Sequence, residues 1–301
     1  YMSLELDLDK KLCRVDPVAV DYYTEAVWES RLDLTDAEES KELHGASLRF
    51  GGVHVNKQPK LYKKIRERTL ENVGYGPITL PAFEYNTTGF AMRPPEAWIE
   101  ALHAKDKRLV SAGLYGLRYL LRHAAPSLCM ADAGDIETDL AEDEAPAAGE
   151  TAGPLDGRAV QPSHPLLFRS ALYLYDAIEG GVGYAEKIFE KLDAALALCR
   201  EMLEECRCAN GCPSCVPPLP PGVADAELEL FLVESDAARV CTRSLLAALI
   251  EGRIEVPEVR TIRHDWHQPV AAPLPDVEQE KLQARLGRAA RNLKQRRERE
   301  H

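Results

Sequence analysis

Residues 206–215 read Cys-Arg-Cys-Ala-Asn-Gly-Cys-Pro-Ser-Cys, and the reading of this stretch governs the fold around it. Cys206, Cys208, Cys212 and Cys215 form C-x-C-x3-C-x2-C, spacing that suits one metal ion rather than a disulfide framework. Gly211 and Pro213 supply the turn that gathers four sulfurs about a point. Tetrahedral zinc is the natural occupant, and four thiolates leave no position for water, so one structural ion is expected. An iron–sulfur cluster is the competing occupant, although C-x-C is unlike the bacterial ferredoxin run. Structural zinc is worth about 10–16 kcal/mol in small peptides. A whole domain is stable by about 5–15 kcal/mol, so loss of the metal should unfold at least the local cap.

Upstream of the cysteines, the apolar run at 166–178 predicts a buried strand ending at Asp176. A glycine turn, Gly180-Gly181-x-Gly183, then leads into a helix at about 184–204. Downstream, a proline-rich crossing at 217–221 precedes an apolar helix at about 235–251. Further from the cysteines, residues 1 to about 92 are β-rich. Alternation at 1–7 and 12–15 around an Asp9-Lys10 turn predicts a hairpin, and further strands are expected at 28–34, 47–55 and 61–69. Gly51-Gly52, Pro59, Gly76-Pro77 and Pro81 punctuate them, which suggests a small barrel or sandwich. After Pro94-Pro95, one apolar face through Trp98, Leu102, Leu109, Leu114, Leu117 and Leu121 predicts a helix that breaks before Pro126. Acidic, Ala- and Gly-rich sequence at 139–163, including Asp139 and Glu142, reads as a mobile loop. The predicted class is α+β. It comprises a β-rich connector at 1–95, a mixed α/β zinc-binding domain at 96–252 and a polar, basic, helical tail at 253–301.

Charge narrows the function. The 301 residues carry 37 basic and 49 acidic groups, a net charge of −12 that excludes an evenly basic nucleic-acid binder but not a local patch. Such a patch lies at Lys57, Lys60, Lys63, Lys64, Arg66 and Arg68. On a strand, Tyr62, Lys64, Arg66 and Arg68 share a face that could track phosphates and stack a base. A charge-guarded edge strand is the competing reading. At the other end Arg285, Arg288 and Arg291 lie in a tail with net charge +6 over 281–300, which suits nucleic acid or a solvated helix. No stretch approaches the roughly 20 apolar residues of a membrane span, and no signal peptide opens the chain. A cytoplasmic, nucleoid-associated protein is expected, and the start at Tyr1 inside a strand pattern suggests a fragment.

Two further features invite a catalytic reading. Asp132, Asp135 and Asp176 each follow an apolar segment and could form a metal-dependent hydrolytic site, or else cap helices and brace loops. Gly180-Gly181-x-Gly183 before a helix resembles a phosphate-binding turn, or else serves tight packing. No G-x4-G-K-[ST] occurs, so the chain should not hydrolyse ATP alone.

Several motifs occur in a fixed order: Asp21-Tyr22-Tyr23-Thr24, Glu71-Asn72-Val73-Gly74-Tyr75-Gly76-Pro77, Ala112-Gly113-Leu114 through His123-Ala124, and 132–136. Tyr175-Asp176 with the glycine turn and Gly211-Cys212-Pro213-Ser214-Cys215 follow. In this order they resemble the C-terminal part of a superfamily-two DEAD/DEAH-box DNA helicase of the mitomycin-repair type, ending in its zinc-binding domain. The resemblance spans about 1–250, with Glu179 standing where the family has proline. It implies a 3′-to-5′ helicase or translocase in DNA repair, with DNA as partner and Cys206, Cys208, Cys212 and Cys215 as zinc ligands. It also implies RecA-like motor domains upstream in the same polypeptide, through which alone ATP and Mg2+ would enter, so this region itself would not be catalytic. The alternatives are a non-motor scaffold subunit of a phage-defence complex and the hydrolase using Asp132, Asp135 and Asp176.

Overall fold

The chain opens with the hairpin its alternation predicts: β1 (Met2–Asp7) pairs antiparallel with β2 (Leu12–Asp16). Lys11 at φ 52° turns the chain, and the Asp7 carboxylate accepts from the Lys10 backbone N–H at 2.9 Å. A computed structural model describes residues 1–67, 72–142, 170–219 and 225–262.

The three short strands expected next are two long ones, β3 (Tyr22–Leu43) and β4 (Ala46–Arg66), joined at His44-Gly45. Both turn residues have positive φ, 50° and 84°, as a two-residue hairpin loop requires. The glycines and proline read as strand ends mark bulges inside the ribbon. The register shifts between Leu34 and Asp36 and between Ala37 and Glu39, opposite Gly52 and Gly51. A Cβ on Gly51 would lie 1.7 Å from the Asp36 carbonyl oxygen, so only glycine permits that approach. A third shift, between Val27 and Trp28, accommodates Pro59, which has no N–H to give the ladder.

Four further strands complete the sheet. β5 (Asn72–Pro77) pairs the second half of β4, and β6 (Phe83–Arg93) pairs its first half. β8 (Ser170–Asp176) pairs β6, and β7 (Ile136–Glu142) pairs β8, giving the antiparallel order β3-β4-β6-β8-β7 with β5 beside β4. The sheet curls until β7 meets β3, where Ser30 Oγ donates to Asp139 Oδ2 at 2.6 Å. Leu32, Val53, Val55, Ala91, Ala171, Tyr173 and Tyr175 fill this near-barrel. Asp139–Glu142 therefore belong to a strand and not to the mobile loop expected there. The rest of that predicted loop lies outside the described residues, as does the basic tail from residue 263.

Helices cover the other face. The single helix expected after Pro95 is two, α1 (Glu96–Lys105) and α2 (Lys107–Cys129), because Asp106 stops one and caps the next, accepting from the Arg108 N–H at 2.9 Å. Pro126 does not break α2. It sits in the last turn, where few ladder bonds remain to lose, and Met130 closes the helix in the left-handed region. α3 (Tyr184–Glu190), α4 (Leu192–Glu205), α5 (Ala226–Val233) and α6 (Ala237–Glu251) follow. Phe50, Phe90 and Met92 from the sheet share one core with Leu114 and Leu117 of α2, Phe189 of α3 and Leu245 of α6. That shared core removes the domain boundary expected at 95/96, since β6 and β8 are neighbours in one sheet. Nor does a tail begin at 253: Lys105 Nζ donates to the Pro257 carbonyl at 2.8 Å and the Ile262 N–H to that of Glu234 at 2.7 Å. Residues 1–262 form one compact unit, and no helix among the described residues is long and apolar enough to cross a membrane.

Candidate metal centre

The end of α4 and the loop beyond it bring the four predicted cysteines together, with Sγ atoms all within 4.8 Å of one another. Cys206 and Cys212 sulfurs are 3.4 Å apart, Cys208 and Cys215 are 3.4 Å apart, and Cys212 and Cys215 are 3.8 Å apart. Four sulfurs at zinc-bond length, about 2.3 Å, from a tetrahedral centre are about 3.8 Å from each other. The donor set therefore fits one ion. It leaves no room for a cluster, which would interpose its own irons and sulfides between the cysteines. Gly211, at φ 101°, makes the turn; a Cβ there would meet the Val216 carbonyl oxygen at 2.3 Å. The Cys215 N–H closes the loop onto the Cys212 carbonyl at 3.0 Å.

Protonation explains why the centre calls for a cation. Burial pushes the Cys208 thiol up to about 12 and raises that of Cys215, while the Cys208 backbone N–H helps hold Cys206 down at about 7. Crowded thiols in a desolvated loop resist joint ionisation; a dication bonded to all four reverses that balance.

The side chains that brace the sulfurs were not visible in the sequence. Arg239 of α6 is only 5% exposed and points its guanidinium at the sulfurs, with Nη1 3.1 Å from Cys215 and 3.4 Å from Cys208. Its Nη2 donates to the carbonyls of Leu203 at 2.8 Å and Cys206 at 3.1 Å. One cation thus offsets thiolate charge and ties the loop to the end of α4. From the other side, the Tyr119 hydroxyl of α2 donates to the Pro213 carbonyl at 2.6 Å. Sequence alone does not set Arg239 apart from Arg243, which follows it in the same helix.

The other predicted residues part company. Lys63 is 3% exposed and ion-paired with Glu229 of α5, so it faces the interior and is removed from the DNA-contacting set. Tyr62, Lys64 and Arg66 do share the opposite face of β4, with Lys64 Nζ 5.4 Å from the centre of the Tyr22 ring and Arg66 Nε 3.3 Å from Asp21. Lys60 is exposed beside Glu29 at 3.0 Å, and Lys57 lies 3.7 Å from Asp139. This segment is not the edge strand that the competing reading supposed, because 61–65 pairs β3 on one side and β5 on the other. Arg68, Arg285, Arg288 and Arg291 lie outside the described residues.

The hydrolytic reading is overturned. The Asp176 side chain is buried, and its carboxylate accepts from four backbone N–H groups: Val182 at 2.6 Å, Gly183 at 2.8 Å, Tyr184 at 3.3 Å and Ala185 at 2.7 Å. Asp135 braces its own turn by accepting from the Asp132 N–H at 3.1 Å. Among the described residues only the cysteines form a group able to hold a metal. The glycine turn does bind an anion, but the anion is Asp176, and the N–H groups that would cradle a phosphate are taken.

Fold and centre together define a closed, four-thiolate structural metal site on an α+β scaffold. Residues 117–216 match the family described as the MrfA Zn-binding domain. The chain is 30% identical over 219 residues to the ATP-dependent helicase YprA of Bacillus subtilis, covering 72% of this chain and 26% of YprA. It is 24% identical over 229 residues to the ATP-dependent helicase HRQ1 of Saccharomyces cerevisiae, covering 72% of this chain and 19% of HRQ1. The crystal structure of the DUF1998 helicase MrfA bound to DNA is 27% identical, with a TM-score of 0.45 and coverage of 77% of this chain and 27% of that one. The resemblance to the C-terminal, zinc-binding region of the mitomycin-repair helicases is borne out, and the chain spans about a quarter of YprA's length.

Proposed function

We propose that this chain is the zinc-stapled, DNA-guiding end of an ATP-dependent 3′-to-5′ helicase or translocase that acts in DNA repair in the cytoplasm. RecA-like motor domains in the same polypeptide supply ATP and Mg2+ chemistry, and zinc holds the guiding surface in shape. The observation that carries the reading is the four-sulfur centre lying within the residues that match the MrfA Zn-binding domain, in a chain similar to two ATP-dependent helicases.

On this reading the DNA backbone runs over the face of Tyr62, Lys64 and Arg66. The pair of Arg66 with Asp21 is solvent-exposed, worth little in water and readily exchanged for phosphate. Binding of a fluorescein-labelled single strand should weaken with salt, log affinity falling by about 0.7 per phosphate contact against log salt. Lys64→Ala with Arg66→Ala should lower that slope by roughly 1 to 1.5. An absence of binding at low salt, or an unchanged slope in the double variant, would overturn the proposal.

A further inference from the structure

The open end of the near-barrel carries a groove of about 1010 Å³ between the sheet and α2. Its size is at the upper end for pockets that enclose drug-sized molecules. Two of its aromatic side chains stand in solvent, Trp28 at 51% exposure and Phe83 at 69%, although residues of this type are usually covered. Tyr85 meets Phe83 edge-on at 6.4 Å, and across the groove the Tyr119 and His123 rings lie 4.4 Å apart.

Charge in the groove is spent internally. Arg118 is 3.1 Å from Asp139, Arg122 pairs with Glu137, and Lys57 lies 3.9 Å from Glu137 and 3.7 Å from Asp139. With Glu25, the lining acids equal the lining bases, so the interior suits an uncharged flat ring better than a phosphate. Positive charge lies alongside instead. In the β3–β4 register Ser30 pairs with Lys57, Ala26 with Tyr62 and Thr24 with Lys64, and cross-strand partners project from the same face. Lys64 and Arg66 thus continue the face whose β3 residues Thr24, Ala26 and Ser30 line the groove.

We propose that this groove receives an unstacked base of single-stranded DNA whose phosphates follow Lys64 and Arg66, with Trp28 and Phe83 as the stacking surfaces. Base–aromatic stacking beside a cationic track is the general solution for holding single strands without reading sequence. The inference rests on the DNA reading above and adds where a base goes. Tyr119 joins the groove wall to the metal loop through its bond to Pro213, so the zinc centre also fixes one side of this site.

The test compares the full chain on two labelled 12-mers, all-thymidine and all-abasic, which carry equal backbone charge. The thymidine strand should bind roughly ten-fold or more tightly. Trp28→Ala with Phe83→Ala should abolish that preference while leaving the salt slope unchanged, and Trp28→Phe should retain most of it. Both sites are exposed, so the fold should survive, as circular dichroism can verify. Equal affinity for the two strands, or a preference that persists in the double variant, would overturn the groove and leave the backbone-tracking reading standing. Loss of salt-dependent binding to both strands would overturn both. Tight binding of a proline-rich peptide to Trp28 and Phe83, with no effect of these variants on DNA, would assign the groove to a protein partner and overturn the proposal.

Discussion

Asp176 and Arg239 are each buried beside partners that the fold brings to them, the glycine turn for one and the metal loop for the other. Asp176 gathers four N–H groups from the end of the glycine turn and the start of α3, so a carboxylate at the end of a strand is spent on architecture. A list of acids following apolar segments could not separate that role from metal binding, because the decisive partners are backbone groups placed by the glycine turn. Asp176→Ala leaves those donors unsatisfied and should cost about 3 kcal/mol or more in urea unfolding; a loss below about 1 kcal/mol would refute the capping role. Arg239 is one of two arginines in α6, ordinarily a solvated kind of residue, and only the path of α6 past the cysteines reveals its use. Arg239→Met should weaken zinc retention about ten-fold or more in competition with a chelator. Unchanged retention would make its sulfur contacts incidental. The cysteines were legible because metal-ligand spacing is local chemistry.

At the scale of elements, the sequence showed which segments are extended and which helical better than where they stop. Gly51, Gly52 and Pro59 were expected to end strands because these residues usually punctuate the chain. Here β3 and β4 pass through them by bulging, which strengthens twist and curls the ribbon toward β7. Conversely, α2 and α6 meet where small residues permit it. A Cβ on Gly116 would lie 1.8 Å from Thr242 Oγ1 and 3.0 Å from the Ala238 carbonyl oxygen. That contact sets the path of the helix bearing Arg239. Gly116→Val should therefore lower stability by about 1–3 kcal/mol and loosen zinc in parallel. A variant that melts early yet holds zinc as tightly as the parent would uncouple the helix crossing from the metal centre.

For the whole molecule, the net charge of −12 describes no one surface. Acids and bases cancel within the groove, Lys63 is consumed in the interior, and the Lys64–Arg66 row stands out by position rather than by number. The connector and zinc domain expected as neighbours are one unit, since the β-rich half contributes strands to the sheet on which the helices of the metal-bearing half pack. Sequence order could not show this, because the pairing of β6 with β8 joins residues about 80 positions apart. A single zinc ion should therefore support the helical half as well as its own loop. The most direct test is to remove the metal with a thiol-competing chelator while measuring zinc released and the thermal unfolding transition of the same sample. One zinc per chain is expected, with loss or a large downward shift of the transition as that zinc leaves and recovery on adding zinc back. Release of zinc with an unchanged transition, or a chain that folds fully without metal, would contradict it.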